Sequence, residues 1–175
     1  HHELGTTIIY VTHDQVEALT MSTKIAIFFE GELEQVAPPM EIYQNPISLR
    51  VADFIGNPKA NFVEGKAVRQ PSGQVRVNSD LGEMVFSPEL FTEDMPESGE
   101  FDCVIGIRPE KVVPAKNGEN REITGDILGS EEIDGASYIR FGVGDGEFLA
   151  KAEGGENLSG KKMSFHVSGE DVYLF

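Results

Sequence analysis

Cysteine, positive charge and long apolar runs are what this sequence has least of. The single cysteine, Cys103, can form no internal disulfide, which removes the disulfide-stapled secreted domain from consideration. It lies in a largely apolar run, 101–107, and reads as a small buried hydrophobe instead of a reactive thiol. Lysine and arginine number 14 against 30 aspartates and glutamates, a net charge of −16. Nucleic-acid binding needs basic patches that neutralise phosphates, so that class is excluded. The same balance offers the phosphates of a nucleotide few countercharges. The longest apolar run, 25–29, falls far short of the ~20 residues that cross a bilayer. No basic, small-residue leader opens the chain, and the expectation is a cytoplasmic protein. With 175 residues, 39% hydrophobic and 25% charged, the chain reads as one or two globular domains.

What is present is organised around residues 6–20. An uninterrupted, β-branched apolar run at 8–11 predicts a strand covered on both faces, as in a parallel sheet. Thr12 and His13 stand at its carboxyl end, the end at which open α/β sheets bind ligands. Asp14 is placed to cap a helix over 15–21, with Glu17 in its first turn complementing the helix dipole. Residues 24–29 and 33–36 flank Glu30-Gly31-Glu32 and predict a β-hairpin. A short helix over 40–44 follows the two prolines, and Asn45-Pro46 breaks it. Ser48 caps an amphipathic helix over 48–55, with Leu49, Ala52 and Ile55 on one face. Gly56-Asn57-Pro58 ends it, and the domain boundary is placed there, giving domains 1–57 and 58–175.

Beyond residue 61 the chain consists of short strands and turns. Strands are predicted over 62–68, 75–77, 84–86, 103–107, 123–133, 138–143, 147–152, 162–167 and 172–174, with a tight hairpin at 142–146. This spacing fits a small barrel or a sandwich.

The segment Y-V-T-H-D-Q-V-E-A-L-T-M, residues 10–21, resembles the switch-histidine segment of ATP-binding-cassette (ABC) importer ATPases. The stretch 24–46 is similar to the sugar-importer branch. The likeness continues through D-F-I-G-N-P-K-A-N-F (53–62) and G-I-R-P-E (106–110) to the terminal V-Y-L-F, and so spans the chain. It implies the α/β tail of an ABC nucleotide-binding domain followed by an all-β regulatory domain, an OB-type, TOBE-like barrel. His13 would then contact the γ-phosphate and hold the geometry of the attacking water in an intact subunit. ATP and magnesium are the cofactors implied for that parent, and none is expected for this chain alone. The implied partners are a second copy, the membrane permease subunits and an inhibitory or regulatory protein, with no nucleic acid. The implied location is peripheral, on the cytoplasmic face of the cell membrane.

The family's engine also needs a phosphate-cradling loop, a signature loop and an acidic pair. None precedes His13, so the chain is expected to be a catalytically inactive portion of its parent. Residues 155–161 fit G-x-x-x-x-G-K, but Lys162 replaces the Ser or Thr that would ligate magnesium, and strands, not a helix, are predicted after it. Leu158-Ser159-Gly160 brushes against the signature loop, but Lys161-Lys162 departs from it. Glu131, Glu132 and Asp134 form no metal site on this reading, because adjacent strand positions point to opposite faces. Asn157-Leu158-Ser159 matches a glycosylation pattern that has no bearing in the cytoplasm. His166 reads as a surface or core residue.

An opening strand without sheet neighbours is expected to bury 7–12 and the inner faces of 24–29 against another copy of the chain. The competing functional reading makes the β-rich domain a sensor of a small ligand, an oxyanion or metabolite. Importers of polyamines or iron share much of the same pattern, although 54–62 leans toward sugars.

Overall fold

The computed structural model describes residues 5–91, 95–115, 122–152, 160–169 and 171–175. The chain divides into two compact units, residues 1–46 and 47–175, each with its own internal packing.

In the first unit, α1 (Gln15–Met21) begins at Asp14, whose carboxylate accepts from the backbone N–H of Val16 at 2.8 Å and of Glu17 at 3.1 Å. Two donors that the helix itself cannot pair are thereby satisfied. Next comes the antiparallel hairpin β1 (Ile25–Phe29) and β2 (Glu32–Ala37). Its turn places Glu30 and Gly31 at φ 53° and 89°, the left-handed pair that matches the twist of the two strands. Alternation sends Ile25, Ile27, Gln35 and Ala37 inward, while Phe28, Leu33 and Val36 stay exposed. The helix α2 (Pro39–Gln44) packs on β2, with Ile42 fully buried. Gln35 is held in this apolar setting by donating from Nε2 to the Asn45 carbonyl at 3.0 Å.

The buried strand expected over 8–11 is not formed. No described strand pairs with residues 6–12, and Ile8, Ile9, Tyr10 and Val11 are all exposed. A strand is made by its ladder, and an apolar run alone supplies only the faces that a ladder would present.

The second unit opens with α3 (Leu49–Phe54), capped by Ser48. Two five-stranded antiparallel sheets follow. The first contains β3 (Asn61–Arg69), β4 (Val75–Ser79), β5 (Gly82–Phe86), β6 (Glu100–Ile107) and, from the end of the chain, β12 (Val172–Leu174), ordered β12-β6-β3-β4-β5. The second contains β7 (Val113–Pro114), β8 (Glu122–Ile133), β9 (Ala136–Val143), β10 (Gly146–Lys151) and β11 (Lys162–His166), ordered β10-β9-β8-β11-β7. The last strand, β12 (Val172–Leu174), returns to the first sheet beside β6.

One apolar cluster joins the inward residues of both sheets. Its centre includes Ile105 and Val77 from one sheet and Phe141 and Phe165 from the other, the two rings stacked with centroids 4.0 Å apart. This is the all-β, OB/TOBE-like architecture expected from the resemblance, built as two curled half-barrels. Cys103 is buried in the cluster, as expected.

Candidate functional site

The turn before α1 carries the one predicted catalytic residue. His13 is exposed and lies between an extended segment and the helix N-terminus. Its neighbours hold the turn by hydrogen bonds made within the segment. The Thr12 hydroxyl accepts from the Asp14 N–H at 3.0 Å and donates to Glu17 Oε2 at 2.8 Å. Tyr10 donates to the same carboxylate oxygen at 3.1 Å. The hydrogen bond it donates to that carboxylate holds the Tyr10 phenol above its ordinary pKa, and the repulsion that ionisation would set up between two negative charges adds to this. Residues 10–17 therefore form a pre-shaped turn that offers its imidazole to solvent. Glu17, read from sequence as a helix-dipole residue, is also the acceptor that organises the turn. Its carboxylate reaches back across seven positions to Tyr10, a spacing that no helix rule would pair.

The other candidates separate widely. Glu131 and Glu132 are exposed on β8, where Glu132 accepts from the Ser137 hydroxyl. Asp134 accepts from Asn57 Nδ2 at 2.7 Å. Among the described residues no group of acidic, histidine or cysteine side chains is arranged to hold a metal. His166 is half-buried on β11. The near-match at 155–161 and the overlapping Asn157-Leu158-Ser159 lie almost wholly outside the described residues. So do His1 and His2.

Two residues that sequence reasoning gave no role stand out in the second unit. Arg108, within the quoted G-I-R-P-E, is 1% exposed, and Asn61, within P-K-A-N-F, is 7% exposed. A buried arginine must be paired to be tolerated. Arg108 Nη1 donates to the carbonyls of Ala52, at 3.2 Å, and Ile55, and its guanidinium lies over the Tyr173 ring, 5.5 Å from the centroid. Their partners lie more than fifty and eighty positions away, and no local signal could have found them.

A cavity of about 320 Å³ opens beside the β4–β5 turn. Leu81, Met84, Ile107, Ile123, Val167 and Val172 line it, with Glu83 and Ser168 as its polar groups. An apolar wall with a carboxylate on it is the wrong chemistry for an oxyanion.

Comparison with known proteins agrees with the geometry. No family model matches the chain. It is 42% identical over 84% of its length to the maltose/maltodextrin import ATP-binding protein MalK of Aliivibrio fischeri, covering 39% of that protein. It is 36% identical over 86% of its length to the sulfoquinovosyl glycerol transport ATP-binding protein SmoE of Agrobacterium fabrum, covering 40% of it. Along its full length it is 31% identical to the lactose transport ATP-binding protein LacK of Rhizobium radiobacter, covering 48%. The chain thus corresponds to part of an ABC-transporter ATP-binding protein. These three relatives are named for the import or transport of sugars or a sugar derivative, and the chain spans less than half the length of each.

Proposed function

We propose that this chain is the carboxyl-terminal and regulatory part of the ATP-hydrolysing subunit of an importer for sugars or related solutes. The carrying observation is that the first unit displays a pre-shaped turn with His13 exposed on it, beside an uncovered apolar surface. Ile9 and Val11 are 89% and 90% exposed, beside Ile8 and Tyr10 at 62% each. Burying such side chains yields about 1.5 to 3 kcal/mol apiece, so the ribbon is suited to a sheet completed by the remainder of a nucleotide-binding domain. Phe28, Leu33 and Val36 on the outer face of the hairpin add to the same requirement.

In the intact subunit His13 would contact the γ-phosphate of ATP and position the attacking water, with Thr12, Asp14 and Glu17 holding the turn that presents it. ATP and magnesium would be held by groups outside this chain. The β-rich unit would pair with that of a second copy, and the subunit would dock on permease subunits at the cytoplasmic face of the membrane. It would also receive an inhibitory or regulatory protein. No helix among the described residues is long and apolar enough to cross a membrane.

The test is a chimera in which residues 6–175 replace the matching segment of the maltose/maltodextrin import ATP-binding protein in a strain lacking it. Maltose uptake restored by the chimera, and lost with His13→Ala while the protein still co-purifies with the permease, supports the proposal. A chimera that assembles with the permease and shows uptake indifferent to His13 overturns it.

A further inference from the structure

Protein cores pack to a density that leaves few voids larger than a water molecule. The β-rich unit departs from this at the cavity of about 320 Å³ beside the β4–β5 turn. Its walls come from both sheets. Leu81 and Met84 belong to the β4–β5 hairpin, which ends the order of the first sheet, and Ile107 closes β6. Ile123 lies at the start of β8 in the second sheet, and Val167 follows β11. Ile107, Ile123 and Val167 are members of the central apolar cluster, and Leu81 and Met84 pack against it. The cavity is therefore a pit in the core itself, open at one side. It has the room of about ten water molecules, but water there would find few polar partners, and an apolar cavity of about 150 Å³ is already large enough to take a benzene ring.

The polar groups select the end that such a molecule would carry. Glu83 is a carboxylate that only accepts, and the Ser168 hydroxyl can accept as well. Among the described residues no lysine, arginine or histidine lines the cavity. Arg76 approaches Glu83 at 3.7 Å, but these side chains are 46% and 60% exposed. An exposed pair of this kind contributes little, so the carboxylate is open to a second cation. The net charge of −16 repels an anion and attracts a cation.

We infer that this cavity binds a small organic amine, its branched or aromatic body seated between the two sheets and its ammonium at the rim beside Glu83 and Ser168. The inference goes beyond the transport reading and does not rest on it. Because the body would touch residues of both sheets, occupancy would hold the half-barrels together and stabilise the folded unit by mass action.

Methyl-resolved NMR of the 175-residue chain with phenethylamine, phenethyl alcohol and phenylacetate tests this, since the three share a body and differ in the charge of the end. Phenethylamine should shift the methyls of Leu81, Ile107, Ile123 and Val167 saturably, with half-saturation below about 1 mM, within reach of a ligand of about nine non-hydrogen atoms. The alcohol should bind about fivefold more weakly, the scale of one exposed charge pair, and phenylacetate more weakly still. Glu83→Gln should close the gap between amine and alcohol. Leu81→Trp, which fills the pit, should abolish the shifts while the rest of the spectrum stays native. If Leu81→Trp fails to fold, the map of shifts on the unmodified chain decides. Absence of saturation by about 10 mM, or shifts centred on the exposed run 8–11, overturns the inference. So does phenylacetate binding as tightly as the amine, an amine preference that survives Glu83→Gln, or undiminished binding to a folded Leu81→Trp.

Discussion

The side chain of Asn61 pairs with the backbone of Leu149 as a strand would: Nδ2 donates to the Leu149 carbonyl at 2.8 Å, and Oδ1 accepts from the Leu149 N–H at 2.7 Å. Asn61 begins β3 in one sheet, and Leu149 lies on β10, an edge strand of the other. One amide thus satisfies both polar groups of an edge residue and ties the two half-barrels together at a point that no ladder reaches.

Asn61→Ala should therefore cost about 2 to 3 kcal/mol, the sum of two lost bonds and the desolvation left on Leu149. Asn61→Asp should cost no less, because a carboxylate cannot donate to the carbonyl. Urea unfolding checks both, and a midpoint within error of the parent for either variant would count against the tie.

Two glycines on β8 should differ sharply in their response to the same substitution. A Cβ at Gly125 would lie 2.4 Å from the Gly142 carbonyl oxygen and 2.6 Å from the Phe141 ring, itself locked against Phe165, whereas at Gly129 the nearest atom is 4.0 Å away. Gly125→Ala should destabilise by about 3 kcal/mol through overpacking, and Gly129→Ala should stay within about 0.5 kcal/mol of the parent. Thermal unfolding of the pair gives the comparison its own control.

Cys103 gives a pH dependence with a definite sign. Burial pushes its thiol pKa up, and the Asp102 charge adds to this. The folded state therefore keeps its proton at pH values where the unfolded thiol, near 8.5, has begun to lose it. Its contribution to stability is fully present below about pH 8.5 and is lost as pH rises from there toward the folded value. The stability difference between the parent and Cys103→Ala should shrink between pH 7.5 and 9.5. A thiol reagent should label Cys103 only as the chain unfolds, and rapid labelling of the native chain at pH 7.5 would refute the buried assignment.

His13 and nucleotide binding form one prediction. Because His13 is exposed and the surrounding turn is held by Thr12, Asp14 and Glu17, His13→Ala should leave the melting temperature of this chain within about 1 °C. Asp14→Ala, which removes the cap, should cost about 1 kcal/mol of the first unit's stability. Calorimetry with Mg-ATP should show no binding tighter than ~10 μM, or about −7 kcal/mol. Tighter binding would reopen the near-match at 155–161.

Residues 15–21, the hairpin around Glu30-Gly31-Glu32 and the short helices beside Pro39 and after Ser48 were all legible without a structure. Caps, periodicity and turn residues act over a few positions, where the chain is its own environment. The strands from 61 onward, except the two-residue β7, were legible for the same reason, and the resemblance carried by 10–21, 53–62 and 106–110 supplied the barrel type that spacing left open between barrel and sandwich. Local pattern failed at 8–11, whose apolar run predicted a buried strand although a ladder is a property of neighbours. It could not reach the Asn61 grip on Leu149 or the Arg108 clamp on Ala52 and Ile55. Those depend on which distant backbone groups the closed fold leaves without a partner, a question that arises only once the sheets have curled and water has been excluded from between them.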